Sequence, residues 1–96
     1  MDTLLVLNVD PRLEEELIDF LLRQDGVTGF TAQVVYGHGP GGHMTLAEQV
    51  AGRRKRVQVQ VLMQAADVRA VLDGLPGVGR DIVWWQQPVS ASGRID

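Results

Sequence analysis

The sequence predicts an α+β domain of the ferredoxin-like type: a four-stranded antiparallel sheet with two helices on one face. Three observations carry this. The chain has 96 residues, 45% hydrophobic and 22% charged, enough for one core and no more. Its apolar residues mark four strand-length segments, two of them in clear alternation, and keep helical spacing in two more. The segments run β-α-β-β-α-β, and right-handed crossovers place both helices on the same side of the sheet.

Thr3 to Val9 is an almost unbroken apolar run, too short for a free-standing helix and read as a strand covered on both faces. Asp10 can cap the helix that follows, and Pro11 is pre-set for its first turn. Glu14, Glu15 and Glu16 lie near its positive end, while Leu13, Leu17, Phe20 and Leu21 form its buried stripe. Gly26 is the expected stop. Phe30, Ala32, Val34 and Tyr36 alternate with Thr31, Gln33 and Val35 in a second strand. The third is the cleanest: Val57, Val59, Val61 and Met63 face one way, Arg56, Gln58, Gln60 and Leu62 the other. A second helix is expected over 65–75, with Ala65, Val68, Val71, Leu72 and Leu75 inward, broken by Gly74, Pro76, Gly77 and Gly79. Ile82 to Trp85 forms a last short strand. The domain then spans 1–87, with 88–96 a flexible C-terminal tail.

Two helices cover only one face of such a sheet. Yet the first strand is apolar on both faces, and Trp84 and Trp85, as strand neighbours, point to opposite ones. Another copy of the chain is the simplest cover for the open face.

Composition removes several function classes. There is no cysteine, hence no disulfide, thiolate metal site or cysteine nucleophile, as suits a reducing cytoplasm. No apolar run approaches the roughly 18 residues of a membrane span. Asp2 stands where a secretory signal would carry cations, so the expected location is cytoplasmic, without membrane insertion. Nine Lys and Arg against twelve Asp and Glu give a net charge of −3, which disfavours nucleic acid. RNA-binding sheets of this topology also display stacking aromatics, where the central strands here carry aliphatics and glutamine.

The chemistry concentrates in a long loop, 37–53, where a hairpin needs about two to five residues. It opens Gly37-His38-Gly39-Pro40-Gly41-Gly42-His43, with four glycines in seven residues, which lets backbone amides approach an anion. The Gly-Lys-Ser/Thr ending of a Walker phosphate loop is absent. Thr45 and Glu48 have capping-box spacing for one or two helical turns, on which Leu46 and Val50 make an apolar ridge that can fold back on its own domain or engage a partner. His38 and His43, beside Met44, are the candidate ligands for Cu or Zn, in a set that two subunits must complete. Arg53-Arg54-Lys55-Arg56 follows, with Arg54 and Arg56 on one strand face; arginine grips phosphate or carboxylate bidentately. Gly77-Val78-Gly79-Arg80 repeats the pattern of bare amides followed by a guanidinium. Together these residues suggest an anion site between two loops. No nucleophile–base or acid–base set emerges, so an enzyme is not expected.

Gly29-Phe30-Thr31, Val35, Gly37, Gly39 and His43 resemble the PII signalling-protein pattern G-M-T-x-x-x-V-x-G-x-G…G-H, and Gly77-x-Gly79-Arg80 resembles its second loop, G-x-G-K. The element order matches over roughly 3–86. Gly-Phe-Thr, Gly-His-Gly and Glu48-Gln49-Val50-x-Gly52-Arg53 are similar to a small proteobacterial branch of PII-like proteins of unassigned function that accompany heavy-metal efflux systems. The resemblance implies a homotrimer and a non-enzymatic regulator. It would bind an adenine nucleotide or another small anion in intersubunit clefts, at Gly37, Gly39, Arg54, Arg56, Gly77, Gly79 and Arg80, and its long T-loop would signal to a target such as a membrane transporter. A CutA-like metal-tolerance role is the alternative. PII itself has Arg-Gln-Lys where this chain has Pro40, Gly41 and Gly42, carries a modifiable tyrosine absent between Met44 and Arg53, and extends further past the fourth strand. Its 2-oxoglutarate and uridylylation chemistry therefore does not carry over.

Overall fold

The computed structural model describes residues 2–39 and 45–96, with the side chains of all of these except 49–51. Strand β1 (Asp2–Val9) leads through a 3-10 turn (Pro11–Leu13) into helix α1 (Glu14–Leu22). Strand β2 (Thr31–Gly37) precedes a short helix α2 (Leu46–Ala51) and the long strand β3 (Arg54–Gln64). A 3-10 turn (Ala65–Asp67), helix α3 (Val68–Gly74) and a second 3-10 turn (Leu75–Gly77) lead to strand β4 (Val83–Pro88). The strands form one antiparallel sheet in the order β2-β3-β1-β4. This is the four-stranded ferredoxin-like arrangement predicted by the sequence.

Register assigns every side chain to a face, because partners directly opposite point the same way. Leu5, Leu7 and Val9 stand opposite Val61, Val59 and Val57. They meet Leu17, Phe20 and Leu21 of α1 and Val68 and Val71 of α3 in one core. Complete burial of each of the leucines there contributes about 1.5–3 kcal/mol. The other face carries Leu4, Val6, Leu62 and Trp85, together with Gln58 and Gln60. No helix of the core lies on it. Trp84 pairs with Leu7 and Trp85 with Val6, so the two tryptophans do face opposite ways.

Several boundaries differ from expectation, each for a local reason. Helix α1 ends at Leu22, short of Gly26, because Arg23 and Gln24 close a tight turn onto the Phe20 and Leu21 carbonyls and the Gln24 amide also donates to Phe20. Ala65 is exposed, not inward, since a 3-10 turn precedes α3. Phe30 lies outside β2 and packs against the core. Strand β4 begins after Ile82 and runs on through Pro88, past the expected end at Trp85. The reach of β1 carries the ladder: Thr3 pairs with Pro88, Thr3 Oγ1 donates to the Gln87 carbonyl at 3.0 Å, and the Val89 amide donates to Asp2 at 3.2 Å. Proline is tolerated at the end of an edge strand.

Candidate functional site

The loop 37–53 is not featureless where it is described. Thr45 and Glu48 form the capping box their spacing predicts: the Glu48 amide donates to Thr45 Oγ1 at 3.1 Å, and the Thr45 amide to Glu48 Oε1 at 2.9 Å. Glu48 Oε2 also accepts from the Lys55 amide at 3.2 Å, which fastens the start of α2 to β3. At the other end Gly52 turns left-handed (φ +72°) and the Arg53 amide donates back to the Glu48 carbonyl at 3.2 Å. That is the Schellman closure, and it needs glycine. The hydrogen bond from the Thr45 amide, helped by those from the Thr45 hydroxyl and the Lys55 amide, holds the Glu48 carboxyl below the usual carboxylate range against the opposing effect of burial. Residues 45–52 are thus a capped helical unit tied to the sheet. Leu46 is 78% exposed on it. The Val50 side chain lies outside the described set.

Where β3 leaves this unit, alternation sends Arg53 and Lys55 to the helix side and Arg54 and Arg56 to the open side, as the period predicts. The Arg53 guanidinium lies 4.2 Å from the centroid of the Tyr36 ring. Arg54 and Arg56 converge on Asp81, which the sequence did not single out. Arg54 Nη2 is 2.5 Å and Arg56 Nη1 3.4 Å from Asp81 Oδ2. Arg56 Nη2 also donates to the carbonyls of Asn8 at 3.0 Å and of Asp81 at 2.8 Å. Arg56, expected as a ligand-binding residue, is instead only 5% exposed and braces the end of β1 against the turn before β4. Burial, and then the Arg54 charge, push its guanidinium down from the usual arginine range, with Asp81 and Asp10 pulling the other way.

Beside Arg54 and Asp81 opens a cavity of about 560 Å³, lined by them and by Asp10, Arg12, Leu13, Glu16 and Arg80. Asp10 caps the first 3-10 turn by accepting from the Arg12 amide at 2.9 Å, and its other carboxylate oxygen meets Arg12 Nη2 at 3.1 Å. The Arg12 hydrogen bonds hold the Asp10 carboxyl below its ordinary value. Arg80 and Asp81 also line an adjoining groove of about 520 Å³, walled by Leu72, Leu75, Pro76 and Trp84. Exposed cationic groups therefore stand beside an apolar, aromatic-rimmed groove.

The expected glycines serve different ends. Gly37 pairs with Arg54 at the sheet end, next to the site. Gly79 does not offer its amide to a ligand: that amide donates to the Leu75 carbonyl at 3.3 Å. A Cβ on Gly79 would sit 2.6 Å from Leu13 Cδ1, so a larger residue there would have to displace the Leu13 side chain that packs against this turn. Gly77 ends the 3-10 turn in open space, and Gly39 lies at the mouth of the loop with φ +149°. His38 is exposed beside Gly39, whereas His43 lies outside the described residues. Among the described residues no group of three or more His, Asp or Glu is placed to hold a metal ion, and no helix is long and apolar enough to cross a membrane.

The profile of the DUF3240 family, described as proteins of unknown function, matches residues 1–96. The chain belongs to this family. The crystal structure of a DUF3240 family protein from Shewanella baltica OS155 superposes with a TM-score of 0.82 at 21% identity, covering 99% of this chain and 97% of that one. The periplasmic divalent cation tolerance protein CutA from Archaeoglobus fulgidus superposes with a TM-score of 0.76 at 8% identity, covering 98% and 89%. At such identities the likeness establishes that this DUF3240 chain shares their fold. No curated protein matches it in sequence.

Within the DUF3240 chain, the structure brings together Gly37, Arg54, Arg80 and the turn at Gly79; His38 does not line that cavity, and the call on His43 lies outside the described residues. Asp10, expected only as a helix cap, also lines the cavity, and Asp81 lies outside the expected set because an acid is not the residue an anion site calls for. One signal was available: Asp81 follows Gly-Val-Gly-Arg in a short connection, and aspartate is among the few residues that tolerate left-handed backbone.

Proposed function

We propose that the chain is a non-enzymatic, PII-like regulatory protein of the cytoplasm. It binds a small anion, such as the phosphates of an adenine nucleotide, at the Arg54–Arg80 cavity, and reports occupancy through the 37–53 loop to a target protein. The observation that supports this best is where the cations stand: Arg54 and Arg80 line one cavity at the foot of that loop, with the Trp84 groove adjoining. Occupancy of the cavity can thereby be felt by β3 and by the helix fastened to it. Leu46 is the apolar contact offered to the target, with Val50 the second residue of the ridge. A transporter's cytoplasmic face fits the resemblance to efflux-associated proteins. Three copies packed through their open sheet faces would bury Leu4, Val6, Leu62 and Trp85 and set the cavities beside subunit boundaries. Isothermal titration with ATP, ADP, AMP, cyclic AMP and bicarbonate tests the reading. At least one should bind, and Arg80→Ala should weaken it at least tenfold; if none binds, the anion site is wrong.

A second reading is favoured by the likeness in fold to a divalent cation tolerance protein. Here His38 and His43, with Met44, would bind Cu or Zn together with residues of another subunit. Equilibrium dialysis with each metal, before and after the double change His38→Ala and His43→Ala, decides it: binding that survives the double change rules these ligands out.

A further inference from the structure

We propose that Asp81 is a built-in competitor of the anion site: its carboxylate occupies the place between Arg54 and Arg56 that a phosphate-class oxyanion would take, so that such an anion binds by expelling it and releasing the turn before β4. The inference rests on the anion-binding reading above and adds to it how the site is gated.

Three independent features carry it. The first is geometry. Two guanidinium groups converge on the single oxygen Oδ2 of Asp81, at 2.5 and 3.4 Å. A phosphate presents the same oxyanion chemistry to the same pair. The second is backbone conformation. Asp81 has φ +59° and is the one non-glycine with positive φ among the described residues. Left-handed backbone is adopted by few residues besides glycine, and aspartate, one of those few, takes it here with its carboxylate held by the arginines. The two arginines supply a compensating attraction through the carboxylate, beside the bond from Arg56 Nη2 to the Asp81 carbonyl at 2.8 Å, so once they hold another anion the turn keeps only the carbonyl tie and loosens. The third is electrostatic. Arg56 is buried and cannot be left without a counter-charge, whereas Arg54 and Arg80 line the cavity through which an anion would arrive. With Asp81 in place, Asp10, Glu16 and Asp81 balance Arg12, Arg54 and Arg80 around that cavity. With Asp81 swung out, two guanidinium groups face one vacant position.

The test is to titrate inorganic phosphate into the full chain and into Asp81→Asn, at constant ionic strength in chloride. Asparagine keeps the tolerance for left-handed backbone and removes only the charge. Phosphate should bind Asp81→Asn at least tenfold more tightly than the unaltered chain, and adding Arg54→Gln should abolish that gain. Equal affinity for both overturns the competitor and leaves the anion site standing; binding to neither overturns both. A gain that survives Arg54→Gln also overturns the competitor, since the phosphate then lies elsewhere. Should Asp81→Asn fail to fold, hydrogen exchange on the unaltered chain decides: the amides of residues 80–83 should exchange faster in saturating phosphate, and unchanged exchange overturns the proposal. Substituting AMP for inorganic phosphate distinguishes a free anion from a nucleotide phosphoryl group.

Discussion

Arg54 and Arg56 are two residues apart on the same strand face and touch the same carboxylate, yet they have different work. Arg56 is buried and spans two backbone carbonyls, those of Asn8 and Asp81, so its loss strands acceptors in the interior as well as a charge pair. Arg54 is the more accessible partner, and its pair with Asp81 is partly solvated, worth about 1 kcal/mol or less. Arg56→Ala should therefore lower unfolding free energy by about 2–4 kcal/mol, and Arg54→Ala by about 1 kcal/mol or less, in urea denaturation. A reversed order would make Arg54 the brace and Arg56 the ligand contact. The sequence could place both cations on one face, since that needs only the strand period. It could not say that one of them turns inward, because the carbonyls and the aspartate that attract it come from β1 and from the turn before β4, 48 and 25 residues away.

At the scale of elements, the short helix α2 is held at both ends by bonds that its own sequence supplies. Thr45→Ala removes one half of the capping box and should weaken that helix by about 1 kcal/mol, seen as faster amide exchange over 46–51 while the sheet stays protected. The Glu48 half titrates. Its carboxyl is held below the usual carboxylate range in the folded chain, so the anchor is fully present above that range and is lost as pH falls through the lowered value. The Thr45 amide resonance should report this in an NMR titration, and Glu48→Gln should make the resonance insensitive to acid. Elements such as β3 and α2 were legible because period and capping are local chemistry. The extra length of β4 was not. Gln86, Gln87 and Pro88 have little strand preference of their own and are ordered by the length of β1 beside them, a non-local cause. The candidate site was legible in the same proportion: the Arg54 and Arg80 positions follow from sequence, while the Asp81 carboxylate against Arg54 and Arg56 and the packing role of Gly79 depend on how distant segments meet.

For the whole molecule, the decisive feature is the difference between the two sheet faces. One is roofed by α1 and α3. The other leaves Leu62 43% exposed and Trp85 38% exposed around the buried Val6. If three copies assemble through that face, Trp85→Glu should give monomers in light scattering, whereas Trp84→Ala, on the opposite face, should leave the assembly mass unchanged; an unaltered mass in both removes the open face from the interface. The same sheet has a second property, set by direction. Asp2 meets Val89 through a backbone hydrogen bond and Ser92 and Gln64 through its carboxylate, all at one end of β1. The arginines and Asp81 lie past the other end, roughly 25 Å away at about 3.3 Å per residue. Asp2 and Ser92, near the two ends of the chain, are therefore neighbours, and far from the arginine cluster. A circular permutant joining the chain's ends through a short linker, and opened at the exposed Thr28–Gly29 connection, would keep every strand pair and leave the arginine-lined cavity untouched.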